Sequence, residues 1–218
     1  MKSVMRALLL ALLLLAGGAR ADVFEHPLTP AQLSALLGPA ARPLAAAAGL
    51  RGRFEQRKSL PGLPKPLLST GEFLFARELG VWWHTQTPFD SLFILTREGA
   101  RSRDEGGTET KVSAADQPGV GVAARIFFAL FALDFDALSR DFDTYGVAAG
   151  LGDKGWQVGL RPKQAAMSAV FSEALIEGVT QAKRIELRDP HGDRTEILFP
   201  EVSSLPSLGP AERQRFAD

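Results

Sequence analysis

Three histidines, no cysteine and no G-x-S-x-G elbow leave this chain little with which to do covalent chemistry. His26 lies in a short leader, His84 follows Trp82 and Trp83, and His191 sits at a turn tip, Asp189-Pro190-His191-Gly192-Asp193. Without a thiol there is no cysteine nucleophile and no Cys-ligated zinc or iron–sulfur centre. Without the elbow, no serine sits on the strained turn that exposes a hydrolase nucleophile. The carboxylates nearest to ligand spacing, Asp134-x-Asp136 and Asp141-x-Asp143, fit helix capping or a solvated face better than a metal. Residues 150–155 (GLGDKG) lack the closing Lys-Ser/Thr of a phosphate loop and read as a turn. No catalytic residue, metal ligand or cofactor site is expected. An esterase using His84 is the enzyme alternative.

What the chain has in quantity is apolar surface. Of 218 residues 45% are apolar, and 14 are Phe, which excludes a disordered chain and suits one domain with a sizeable core. The 25 basic and 25 acidic side chains cancel, so the footprint of a nucleic-acid binder is missing. The mean hydropathy of +0.01 is inflated by the first 21 residues. Lys2 and Arg6 precede nine apolar residues, 7–15, and Ala19-Arg20-Ala21 closes the stretch as small-x-small. This is a secretory signal peptide cut after Ala21, its apolar run too short for ~30 Å of hydrocarbon. Removing it takes Lys2, Arg6 and Arg20, leaving 22 basic and 25 acidic side chains, a formal charge of −3. An exported, periplasmic destination follows. The chain divides into 1–21 signal peptide, 22–204 folded domain and 205–218 polar tail.

The elements that must position any site are legible from periodicity. Residues 22–27 form an extended, mobile leader, and Thr29-Pro30-Ala31-Gln32 is a capped helix start. That helix covers 30–37 and stops at Gly38-Pro39, with a second Ala-rich helix over 43–48. From residue 50 the period becomes two. Strands are expected over 50–60, 70–77, 81–87 and 91–96, with 97–110 as a charged hairpin or loop. Arg51, Arg53, Arg57 and Lys58 read as the solvated face of an edge strand. Residues 145–149 and 156–162 make a hairpin, 169–177 is a weaker strand, and 182–188 with 195–202 flank the His191 turn. The tail 203–218 holds one last short helix. The class is α+β with a large curved antiparallel sheet.

Between these strands lies a helix, 123–135, in which only Arg125 and Asp134 are polar. A helix apolar on nearly every side is buried on both flanks or covers something greasy. Phe73 and Phe75 share one strand face, and Val81 and Trp83 continue that parity across the bend. An apolar sheet face beneath an apolar helix makes a hydrophobic pocket. Its expected lining is Phe54, Phe73, Phe75, Val81, Trp83, Phe127, Phe128 and Phe131.

Gly71-x-Phe73-x-Phe75-x-Arg77, then Trp83 and Pro88 as W-x₄-P, resembles the outer-membrane lipoprotein carrier (LolA) family. Phe54-Glu55-Gln56 is similar to that family's F-x-Q, and Trp156-x-Val158-x-Leu160-x-Pro162-Lys163 to its later strand; the resemblance spans 44–202. Glu78, where the family has Pro, and Val81, where it has a bulkier residue, mark a divergent member. The resemblance implies an incompletely closed half-barrel with a helical lid over an acyl-chain cavity, without catalysis or cofactor. It implies that Arg77 gates the lid by bonding its carbonyls, with Glu78 as a rival partner. Implied partners are an acylated lipoprotein or lipid cargo, an inner-membrane donor and an outer-membrane acceptor, with the carrier a monomer. A periplasmic lipid-sensing regulatory protein of the same fold is the non-enzyme alternative.

Overall fold

The computed structural model describes residues 23–116, 118–149, 155–169 and 171–217; the expected signal peptide, 1–21, and residues 150–154 of the expected turn lie outside them. Two strand meanders meet in the middle of one sheet. The first runs β1 (Gly49–Ser59), β2 (Leu67–Ala76), β3 (Gly80–Thr87), β4 (Ser91–Leu95), β5 (Gly99–Arg103) and β6 (Glu109–Ser113). The second runs β7 (Phe142–Ala149), β8 (Gly155–Pro162), β9 (Glu173–Gly178), β10 (Ala182–Arg188) and β11 (Arg194–Leu205). The sheet order is β6-β5-β4-β3-β2-β1-β11-β10-β9-β8-β7, with every neighbouring pair antiparallel.

This order explains the over-apolar helix. Strands β6 and β7 are opposite edges, so the chain joining them must cross the whole sheet. Ten steps of about 4.8 Å would make a flat sheet about 48 Å wide. The crossing helices, α2 (Pro118–Ala132) and α3 (Phe135–Asp141), have 15 and 7 residues, about 22 Å and 10 Å of length. The sheet curls around them into an open half-barrel, and α2 is apolar because it lies across the concave face. Residue 135 is not its end, as the sequence led us to expect. Leu133 adopts φ 49°, and Asp134 caps the next helix, its Oδ1 accepting from the Ala137 amide at 3.0 Å.

Helix α1 (Pro30–Ala45) corrects a second expectation, since it runs through Pro39 and Pro43 instead of stopping before them. Thr29 and Gln32 form the anticipated capping box, with Thr29 N donating to Gln32 Oε1 at 2.9 Å. Each proline deletes one ladder bond at a cost of ~3 kcal/mol or more. Leu33, Leu37, Ala40 and Leu44 nonetheless form one buried stripe, whose packing outweighs that loss.

Other differences follow from pairing partners the sequence does not display. Strand β1 is central, paired with β2 and β11, so its arginines line a convex face and not an edge; Lys58 falls on the opposite parity. The charged stretch after residue 97, expected as a hairpin or loop over 97–110, is a hairpin of β5 and β6 that runs on to Ser113. A short helix, α4 (Ala165–Ser168), precedes β9, which begins only at Glu173. The leader is docked: Gly146 N donates to His26 O at 2.9 Å and Leu28 N to Thr144 O at 2.7 Å, covering the β7 edge.

The tail folds back as well. Arg51, Leu74, Trp82, Ile94 and Arg101 form one cross-strand row on the convex face. Helix α5 (Pro210–Gln214) and the residues after it lie along this row. Glu212 pairs with Arg51 at 3.6 Å, Arg215 stacks 4.2 Å from the Trp82 ring centre, and Arg101 Nη2 donates to Ala217 O at 2.8 Å. Farther along the convex face, Arg184 binds Glu177 at 2.8 Å and Glu196 at 2.6 Å, and reaches Glu186, which also accepts from Arg194 at 2.7 Å. Burial pushes the Glu186 carboxyl up, but the hydrogen bond and charge of Arg194, with Arg184 beside it, outweigh burial and hold it below the ordinary glutamate range.

Candidate functional site

The concave face is a continuous field of aromatic rings. Phe54 faces the interior opposite Gly71, and a Cβ on Gly71 would meet the Phe54 ring at 2.8 Å and the His84 carbonyl oxygen at 1.9 Å. The missing side chain lets Phe54 stack on Trp83, ring centres 3.9 Å apart. Phe73 lies 6.1 Å from Trp83 and 5.5 Å from Phe131; Phe75 lies 5.4 Å from Phe131 and 5.8 Å from Phe128. Phe127 stacks on Phe131 at 6.4 Å. Val81 pairs with Phe75 in register, as Trp83 does with Phe73. All eight residues expected to line a pocket thus lie in or against one core, five of them buried and Trp83, Phe127 and Phe128 half-buried. Phe199 of β11 belongs with them, 5.2 Å from Phe73 and 6.0 Å from Phe131. Its alternation with Ile197 was the signal for it in the sequence.

These rings fill the interior. The space bounded by Leu44, Leu50, Phe73, Leu130, Phe131, Leu133 and Phe199 measures about 10 Å³. Binding pockets for organic ligands enclose roughly 300–1,000 Å³, so an acyl chain enters this space only if a helix moves.

Arg77 stands where such a movement would start. It follows the last residue of β2, and its Nη2 donates to Leu44 O at 2.7 Å and its Nε to Ala47 O at 3.3 Å. The last four carbonyls of a helix lack ladder partners, and a cation there also meets the negative end of the helix dipole. The guanidinium therefore ties the C-terminal end of α1 to the sheet. The helix it holds is α1. Glu78 is exposed and contributes its backbone oxygen, at 3.5 Å, to Arg97.

Two open clefts flank Arg77, and both also touch Ala132 and Asp134. One, of about 640 Å³, is lined by Phe75, Ala124, Phe128, Ala129, Arg97 and Arg140 among others. The other, of about 560 Å³, lies between α1 and the start of α3. Arg97 and Arg140 were not singled out in the sequence, where nothing marks a loop arginine and a helix arginine as neighbours of one cleft.

The histidines are dispersed. His84 Nε2 lies 2.7 Å from Asp90 Oδ2 on the convex side, and His191 donates its backbone amide to Asp189 Oδ1 at 2.8 Å. Among the described residues, no group of three His, Cys, Asp or Glu gathers at metal-binding distance, and no helix is long and apolar enough to cross a membrane.

No family model and no curated protein sequence matches the chain. Among solved structures, it is similar to a LolA superfamily protein from Nitrosomonas europaea, with TM-score 0.46 and 9% identity over 85% of this chain and 97% of that one. It is also similar to a DUF1329 family protein from Desulfovibrio piger, with TM-score 0.44 and 10% identity over 82% and 95% of the two chains. A third similar structure is the Pseudomonas aeruginosa MucA/MucB complex, with TM-score 0.35 and 16% identity over 85% of this chain and 61% of that one.

Proposed function

We propose that this protein is a periplasmic carrier. It takes the acyl chains of a lipoprotein or lipid between the curved sheet and helices α1 and α2, and shuttles them towards the outer membrane. The observation that carries this reading is an aromatic interior closed by a helix whose end is tied down through one side chain, Arg77, at Leu44 O and Ala47 O. A carrier needs a tie that can be released and remade, because its interior must open and then reseal.

The energetics set the requirement. Burying one methylene is worth ~0.8 kcal/mol, so withdrawing a 16-carbon chain from water saves on the order of 12 kcal/mol. Free lipid therefore crosses an aqueous gap too slowly. The rings of Phe73, Phe75 and Phe131 meet in the closed state and supply replacement apolar contact once α1 and α2 move apart from the sheet. Ring closure behind the departing chain helps release, since Phe73 and Phe131 regain each other. Arg77 resets the tie by recovering the Leu44 carbonyl. The cycle has no catalytic step. Its partners are an inner-membrane donor and an outer-membrane acceptor, and one chain suffices as the shuttle.

Mass spectrometry of lipids extracted from the protein purified out of a periplasm tests this. Co-purifying acylated species in near one-to-one amount are expected. A protein that is empty, and stays empty when offered lipid, contradicts the proposal.

A further inference from the structure

The 640 Å³ cleft beside Arg77 has an uneven charge balance for a chain whose total charge cancels. Its floor is apolar: Phe75, Ala124, Phe128, Ala129, Ala132 and Ala137. Its charged lining is Arg77 from the end of β2, Arg97 from the β4–β5 turn, Arg140 from α3, and one carboxylate, Asp134. That carboxylate is already engaged as the N-cap of α3. Arg97 stacks its guanidinium 5.0 Å above the Phe128 ring, and its two hydrogen bonds, to Glu78 O and Arg77 O, are long at 3.5 and 3.4 Å. Arg140 reaches Asp141 only at 3.8 Å, from a largely exposed position. Among the described residues, three guanidiniums thus ring an apolar floor with one carboxylate among them.

We propose that this cleft recognises the anionic head group of a single-acyl-chain amphiphile, with Arg97 and Arg140 as its counter-charges and Phe128 beneath the first methylenes. A guanidinium matches a carboxylate or a phosphate with two parallel N–H donors, which a neutral ester or amide head cannot reciprocate. The site also explains how cargo would open the carrier. An anion held at Arg97 lies beside Arg77, and it is a stronger acceptor for that guanidinium than the Leu44 and Ala47 carbonyls. Binding of the head group therefore competes for Arg77 and loosens α1, and the chain follows into the space the helix leaves. This inference rests on the carrier reading and adds to it the charge class of the cargo.

Calorimetric titration of the purified full chain with three probes of equal chain length, kept below their micellar concentrations, tests it. The probes are palmitate, 1-palmitoyl lysophosphatidylglycerol and neutral monopalmitoylglycerol. At least one anionic probe is expected to bind about tenfold or more tighter than the neutral one. Preference for palmitate marks a carboxylate site, and preference for the lysolipid a phosphate site. In the double variant Arg97→Gln/Arg140→Gln, both exposed positions, the preference of the anionic over the neutral probe should shrink to within about threefold. Arg97→Lys/Arg140→Lys should keep part of it. Equal binding of all three probes by the unaltered protein overturns the head-group proposal and leaves the carrier reading standing. Binding of none overturns both.

Discussion

Arg77 reaches back across the end of β2 to hold the carbonyl of Leu44 at 2.7 Å, joining the sheet to the last turn of α1 through one side chain. Pro39 and Pro43 have already cost that helix two ladder bonds, so its C-terminal half depends on packing and on this tie.

Replacing Arg77 by Met should therefore act on α1 and little else. Two carbonyls lose a charged donor, a loss of about 1–3 kcal/mol for a half-buried group. Hydrogen–deuterium exchange checks the place of the effect: α1 amides should exchange faster while the β1–β2 ladder is unchanged. Arg77→Lys, with one compact ammonium in place of a fork, should fall between.

The two phenylalanines nearest the cleft should separate stability from binding. Phe75 is buried on every side, so Phe75→Ala should cost about 3–5 kcal/mol in urea unfolding. A polar residue there would damage the fold itself. Phe128 is half-buried at the cleft wall, so Phe128→Ser should cost less than about 2 kcal/mol yet sharply reduce uptake of a fluorescent fatty acid. Unchanged uptake in Phe128→Ser would remove that ring from the site.

Acid should weaken the fold through the convex-face ion cluster. Glu186 has a folded pKa below its unfolded value of about 4.3, so its contribution is present above that pH and is lost as pH falls through the folded pKa. Urea midpoints should drop as pH falls below about 4.3, and the drop should be smaller in Glu186→Gln. At pH 7 that variant should itself be less stable by about 2–4 kcal/mol, since Arg184 and Arg194 lose a shared carboxylate.

Removing residues 206–218 should uncover Trp82 and its row. The melting temperature should fall by about 4–10 °C, the shift for a loss of about 2–3 kcal/mol in a domain of this size. An unchanged melting curve would mean that the tail's contacts with Arg51, Trp82 and Arg101 contribute nothing.

Alternation made the sheet legible. The parity of Phe73, Phe75, Val81 and Trp83 is a local property, and the register Phe73↔Trp83 and Phe75↔Val81 follows from it. The capping box at Thr29 and the His191 turn are equally local. What escaped depends on distant partners. A proline normally ends a helix, and only the core beneath Leu37, Ala40 and Leu44 keeps α1 going past Pro39. At 97–110 the sequence left hairpin and loop open, because the choice rests on the neighbour β4, which supplies the template for β5. The tail is polar, and its docking is visible only once Arg51, Trp82 and Arg101 stand in one row. The apolar interior could be read from sequence, but not that its rings touch and close it.

Carriage itself is measured by lipid transfer between two populations of vesicles. Donor vesicles hold a fluorescent single-chain anionic lipid with a quencher, acceptor vesicles hold neither, and the protein is added at increasing concentration. The account predicts a transfer rate that rises in proportion to protein and falls severalfold in Phe128→Ser. A rate that does not change with protein, from a chain that melts normally, would contradict it.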